Sequence, residues 1–263
     1  MLSLLMDAKD IKYCEMVTAD IQKHPDLLFT PSYLELDRAG QMEAWWKRLR
    51  LMYEISRDRY FYDETAMNQF RWKFYQGACP IYLSTDVYYN VIAMMGSERQ
   101  REMWIEPNKR LEIIGCYAQT ELGHGSNVAK LETTATFDRV TDEFILNSPT
   151  LTSTKFWPGN MGIWSNWAAV YARLIIDGKD FGVQCFNTQI RDTYTREMIK
   201  GVNAGDIGAK LGMKTNDNGW MFFNHVRIPR TNMLDKFCEV TREGKFIVKG
   251  NPKLLYQVMV NTR

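Results

Sequence analysis

The residues best equipped for chemistry lie in one stretch, Ile114-Gly-Cys-Tyr-Ala-Gln-Thr-Glu-Leu-Gly-His-Gly-Ser-Asn-Val128. A short apolar run leads into a polar knot, Gln119-Thr120-Glu121, and then into a turn built on Gly123 and Gly125. The side chains of Gln119 and Thr120 can hydrogen-bond a planar ligand, and glycines allow close backbone approach or a positive φ. Gly123-His124-Gly125 imitates the start of a dinucleotide fingerprint, G-x-G-x-x-G. The third glycine is replaced by Val128, however, and the following Thr133 to Phe137 reads as a strand where that motif needs a helix. Both features argue against a Rossmann turn.

The elements that must position this stretch change character near residue 111. Before it the pattern is helical. Asp10 to Gln22 forms an amphipathic helix halted at His24-Pro25, and a second region opens on Pro31 and runs to about Arg59. The aromatic tract Tyr60, Phe61, Tyr62, Phe70, Trp72, Phe74, Tyr75 reads as core at helical spacing. Ile81 to Met95 is an apolar helix closed by Gly96. Ser97-Glu-Arg-Gln100 then offers a capping box for a helix that turns Met103, Trp104 and Ile105 inward and stops near Pro107.

From Leu111 onward β-branched alternation takes over. Strands are expected at Ile113 to Ala118, Thr133 to Phe137, Glu143 to Asn147, Leu151 to Phe156, Ala169 to Ile176, Gly182 to Gln189 and Gly219 to Val226. Hairpin turns are expected at Arg139-Val-Thr-Asp142 and Asp177-Gly178. The expected fold is α+β: an all-helical domain over residues 1–110, then an antiparallel β-barrel or sandwich over 111–238. Residues 239–263 start a connecting segment, with a helix beginning near Leu254.

Composition bounds the function. A chain of 263 residues with 45% hydrophobic and 13% aromatic content can bury a sizeable core. With 33 basic against 31 acidic residues and a net charge of +2, nothing points to nucleic acid. Five cysteines without a C-x-x-C pair and only three histidines argue against a zinc site and for a reducing compartment. The apolar start Met1-Leu-Ser-Leu-Leu-Met6 is too short for a signal peptide or a transmembrane segment and reads as a first helical turn.

Several motifs occur in an order that resembles one family. Tyr117-Ala-Gln-Thr-Glu-Leu-Gly-His-Gly125, Leu131-Glu-Thr-Thr-Ala-Thr136, Ser148-Pro-Thr-Leu-Thr-Ser-Thr-Lys155, Trp157-Pro-Gly159 and Val226-Arg-Ile-Pro-Arg230 are similar to the acyl-CoA oxidases. These are FAD-dependent, peroxide-producing relatives of the acyl-CoA dehydrogenases. The resemblance spans roughly residues 77–263 and is weak before that. It implies α,β-dehydrogenation of a fatty acyl-CoA to the trans-2-enoyl-CoA, the first step of peroxisomal β-oxidation, with electrons passing through the flavin to dioxygen.

The resemblance also assigns roles. Thr120 and Gly159 match the positions that bind the isoalloxazine ring, with Gln119 beside them as a further cofactor-binding residue. Ser126 matches the position that meets the pantetheine arm of the acyl-CoA substrate. The 39 positions from Thr120 to Gly159 suit two strand ends meeting at one rim. Glu121 is read as orienting its turn, and His124 as a packed, hydrogen-bonded imidazole. No catalytic residue is assigned, because the family's base is a glutamate of a C-terminal helical domain to which no residue of this sequence corresponds. Arg227 and Arg230, flanking Pro229, are read as tying down the chain, and Ala209 stands where the family commonly has proline.

The resemblance further implies a homodimer, or a partner chain covering the C-terminal domain, and a peroxisomal location. Asn261-Thr-Arg263 is not the Ser-Lys-Leu address expected there. A non-catalytic scaffold derived from such an oxidase and an acyl-CoA dehydrogenase stand as the alternatives; the Thr152-Ser-Thr-Lys-Phe-Trp-Pro-Gly159 stretch favours the oxidase.

Overall fold

The computed structural model describes residues 7–28, 30–59 and 79–249. Expectations for Met1 to Met6, the aromatic tract from Tyr60 to Tyr75, the helix near Leu254 and the C-terminal tripeptide lie outside these residues. The chain divides into two compact units, Met1–Pro80 with Ala209–Asn216, and Ile81–Gly208 with Asp217–Arg263.

The first unit is helical: α1 (Ala8–Gln22), α2 (Pro31–Glu35) and α3 (Arg38–Arg59). Pro25 follows the end of α1 and opens a single 3₁₀ turn, and Pro31 occupies the first turn of α2, where its missing N–H costs nothing. Val17, Leu27, Trp45, Leu49 and Met52 are buried. Arg48 stacks on Trp45 at 4.9 Å and donates to the carbonyl of Leu27. Arg38 donates to the carbonyl of Lys214 at 2.9 Å, tying the returning segment to α3. This unit holds a cavity of about 520 Å³ lined by residues that include Leu28, Tyr33, Arg48 and Leu51; no motif residue lines it.

The second unit begins with a π-helical turn at Ser84–Tyr88 that runs into α4 (Tyr89–Met95) and α5 (Glu98–Lys109). The N–H of Ser97 donates to Gln100 Oε1 at 3.1 Å, as the capping-box pattern predicts, and Gln100 also donates to the carbonyls of Thr231 and Met233. Trp104 is buried, but Met103 is 47% exposed and does not point inward as predicted. At a pitch of 3.6 residues, neighbours in sequence cannot all share one face. α5 also continues through Pro107 to Lys109.

Among the described residues eleven strands follow: β1 (Gly115–Ala118), β2 (Thr134–Asp138), β3 (Glu143–Asn147), β4 (Lys155–Phe156), β5 (Trp167–Ile176), β6 (Lys179–Gln189), β7 (Val202–Asp206), β8 (Gly219–Phe223), β9 (Val226–Pro229), β10 (Cys238–Val240) and β11 (Phe246–Val248). The larger sheet runs β1-β5-β2-β3-β9 with β6 on β5, and a second sheet runs β4-β8-β7. Most pairings are antiparallel, but β1 and β2 both run parallel to β5, at Gly115↔Trp167 and Thr134↔Arg173. The connections to β5 are long enough for such crossovers. Two successive positive φ values, 51° at Asp177 and 76° at Gly178, give the tight turn that joins β5 to β6.

The main core lies within the β region and includes Ala135, Phe144, Val170, Phe186, Met221 and Phe223. A second core joins the helices to the sheet, with Tyr88, Val91, Ile92, Met95 and Trp104 packed together with Ala169, Tyr171 and Cys185. Thus the break between compact units falls at Pro80, whereas the change from helix to strand comes near residue 111. Gly115 is needed here, because a Cβ would lie 2.2 Å from the ring of Tyr88, whose hydroxyl is tied to Asn187 Oδ1 at 3.0 Å. All five cysteines but Cys14 are buried.

Candidate functional site

The polar knot leaves β1 directly. Gln119 is buried, Thr120 half-buried and Glu121 buried. Two hydrogen bonds lock this segment against β4: Phe156 N–H donates to the carbonyl of Thr120 at 3.0 Å, and Leu122 N–H to that of Thr154 at 2.8 Å. Glu121 and Lys155 face each other as an isolated antiparallel bridge. The structure therefore brings the Gln119-Thr120 end beside the start of Phe156-Trp157-Pro158-Gly159, with Pro158 and Gly159 buried and Trp157 56% exposed.

Beneath the rim lies a buried ion pair. Lys155 Nζ meets Glu121 Oε1 at 3.0 Å, and neither side chain is exposed. Burial pulls the Lys155 ammonium below its ordinary value, and the Glu121 carboxylate opposes that displacement. The ammonium also donates to the carbonyls of Gln119 at 3.2 Å and Tyr171 at 2.6 Å. Glu121 in turn accepts from the N–H of Glu132 at 2.7 Å, the N–H of Thr133 at 3.0 Å and the Thr133 hydroxyl at 2.6 Å. Its oxygens are occupied, so its work is to hold the start of β2 against the end of β1. His124 is half-buried, with Nε2 2.8 Å from Glu132 Oε1. Ser126 is exposed on the same loop.

Neither Gly123 nor Gly125 adopts a positive φ. Gly123 is required by crowding, since a Cβ would lie 2.8 Å from Thr152 Cβ. The left-handed positions fall on the opposite rim, at Trp157 (φ 84°) and Asn160 (φ 65°).

A dense brace explains how that rim is held. Trp157 N–H donates to the carbonyl of Gly219, Gly219 N–H to that of Pro158, and Asn218 Nδ2 to that of Trp157. The buried carboxylate of Asp217 accepts from Ile163 N–H at 2.6 Å and Trp164 N–H at 2.9 Å. Burial pushes the Asp217 carboxyl up to about 6 despite those bonds. The buried Arg191 donates to the carbonyls of Met161, Gly162 and Ser165. In the sequence Asp217-Asn218-Gly219 shows only turn-forming residue types, and no sequence signal marks Arg191. Arg227 bonds Asp138, Thr141 and Glu143, and Arg230 bonds Asp142 and the carbonyl of Val240; both tie down the chain. Among the described residues no His, Cys, Asp and Glu cluster could hold a metal, and no helix is long and apolar enough to cross a membrane.

Comparison with known proteins gives this geometry a lineage. Residues 116–226 match the family model described as acyl-CoA dehydrogenase, middle domain. The peroxisomal acyl-coenzyme A oxidase 1 of Arabidopsis thaliana is 44% identical over 214 residues, covering 80% of this chain and 30% of the relative. The enzyme of the same name from Rattus norvegicus is 44% identical over 184 residues, covering 70% of this chain and 28% of the relative. The chain belongs to the acyl-CoA oxidase family. Acyl-CoA oxidase-2 of Caenorhabditis elegans, whose structure was solved with FAD, ascaroside-CoA and ATP, superposes with a TM-score of 0.88 at 36% identity; the match covers 95% of this chain and 38% of that one. The acyl-CoA oxidase LeACX1 of tomato superposes with a TM-score of 0.87 at 39% identity, again over 95% of this chain and 38% of that one. This oxidase-family chain thus spans about a third of the length of the relatives it matches.

Proposed function

We propose that this chain supplies the flavin-binding portion of an oxidase that converts fatty acyl-CoA to trans-2-enoyl-CoA in peroxisomes. The observation that carries the reading is the Phe156-to-Thr120 hydrogen bond, which sets two family motifs side by side at one rim. The residues present fit the ring system of FAD. The Gln119 amide and Thr120 hydroxyl offer donors and acceptors at the rim, and Gly159 has no side chain to obstruct a ring. Thr120, Gly159 and Gln119 would hold the flavin, and Ser126 would meet the pantetheine arm. FAD, when bound, supplies two-electron acceptance from the substrate and delivery to dioxygen, which yields hydrogen peroxide.

The chain's own contribution is binding, orientation and exclusion of water. The Trp157 indole, carried outward on a left-handed residue, gives apolar cover beside the rim. Glu121 is not a base for the substrate α-proton, because its oxygens are engaged by Lys155, Glu132 and Thr133. The family's dimeric assembly is part of this reading.

The test is retention of FAD. Purified protein should quench flavin fluorescence on titration, and Thr120→Ala combined with Gly159→Trp should abolish that binding. Equal retention by parent and double variant would show the site to be misplaced, and a parent unable to take up FAD would remove the flavin reading. Peroxide release on addition of a long-chain acyl-CoA to the flavin-loaded protein tests the choice of electron acceptor.

A further inference from the structure

Lys155 is the most deeply buried cation near the rim, and its three bonds are all accounted for. An ammonium has three protons, and here they reach the Gln119 carbonyl, Glu121 Oε1 and the Tyr171 carbonyl at 3.2, 3.0 and 2.6 Å. Neutralising Glu121 needs only one of these contacts. The bond to Gln119 has a separate consequence, because that carbonyl belongs to the peptide unit whose N–H is Thr120's. The described residues have no cis peptide bond, so this N–H points opposite to the carbonyl, away from the lysine. A cation on a peptide oxygen in a water-free interior polarises the amide and makes its N–H a stronger donor.

We propose that Lys155 is a positioning residue for the flavin, fixing and polarising the Gln119–Thr120 peptide from inside the β region where the chain meets the ring. The assignment rests on the flavin-binding function argued above. It gives Lys155 a role that the ion pair alone does not require, since an apolar pair of similar volume would pack the same space.

Three variants separate this role from simple structural support. Lys155→Met alone strands the Glu121 carboxylate and conflates folding with binding. Lys155→Met with Glu121→Gln removes both charges, and the glutamine oxygen in the place of Oε1 still accepts from Thr133, with the contact to Glu132 given up. This double variant should melt higher than Lys155→Met alone, yet its Kd for FAD should rise roughly tenfold or more, the scale of one charge-assisted hydrogen bond. The midpoint potential of its bound FAD should move to a more negative value. Glu121→Gln alone leaves both carbonyl contacts of Lys155 in place while stranding its ammonium, so it should melt below the double variant yet bind FAD more tightly than it does. Parent-like affinity and potential in a folded double variant would overturn the lysine's role while leaving the flavin site standing. Equal losses in the double variant and in Glu121→Gln would overturn it too, by assigning the effect to the glutamate. A parent that binds no FAD defeats the functional reading itself, a result distinct from either.

Discussion

Asp217 and Trp157 are both held at a cost, and each cost is measurable. Burial raises the Asp217 carboxyl from an ordinary 3.8 to about 6, so the folded protein holds a proton there more tightly than the unfolded chain does. Between about pH 4 and pH 6 the folded state therefore binds more protons, and this group's contribution to stability falls as pH rises, by roughly 3 kcal/mol across the window. Carboxylates such as Asp138 and Glu132, held low chiefly by bonds from Arg227 and Thr150 respectively, act in the opposite sense. Comparing the parent with Asp217→Asn isolates the one group: the variant should gain stability relative to the parent as pH is raised from 4 to 6.5 in urea unfolding. A constant difference between the two would refute this. Trp157 sits at φ 84°, a region that costs a residue with a Cβ roughly 1–2 kcal/mol, and its indole is more than half exposed. Trp157→Gly should therefore leave the melting temperature unchanged or higher while weakening FAD binding.

At the scale of elements, the two rims depend on close backbone contact between the loop after β4 and the start of β8. A Cβ on Gly219 would lie 2.4 Å from the backbone nitrogen of Gly162, a contact that no side-chain rotation relieves. Gly219→Ala should destabilise the protein by about 1–3 kcal/mol and also reduce FAD affinity, since it displaces the Trp157-Gly159 segment; thermal melts and flavin titration on one preparation check both. The strands that alternate cleanly were legible in sequence: Glu143–Asn147 has its predicted bounds, and β2, β5 and β6 differ by a few residues. The predicted strand at Leu151 shortened to Lys155–Phe156 because Ser153 and Thr150 bond each other's side chains and backbone, closing a local turn instead of a ladder. β7 escaped notice because Val202-Asn-Ala-Gly-Asp206 is polar and glycine-bearing, and β10 and β11 because three residues give no period. The parallel placement of β1 was also hidden, since alternation records which face a residue takes and not which neighbour it pairs with.

For the molecule as a whole, motif order disclosed the family, yet the machinery beneath the rim was largely invisible. Thr120 and Gly159 stand in recognisable runs, whereas Arg191 reaches three loop carbonyls from a distant strand end, a long-range contact that no local pattern encodes. Lys155 was quoted in a motif, but only burial reveals it as the partner of Glu121. The division at Pro80 likewise follows from packing of Tyr88, Val91, Ile92 and Trp104 together with residues of the sheet, which composition cannot report. The buried thiols carry one more implication. Burial pushes Cys116 and Cys238 up to about 12, and Cys185 higher still, so almost none of their sulfur is present as the nucleophilic anion. Iodoacetamide should accordingly modify the native protein mainly at Cys14 and reach the rest only after denaturation, as mass spectrometry would reveal. Under the proposed oxidase function, the four buried thiols would thereby be shielded from the peroxide that the bound flavin would deliver to solvent.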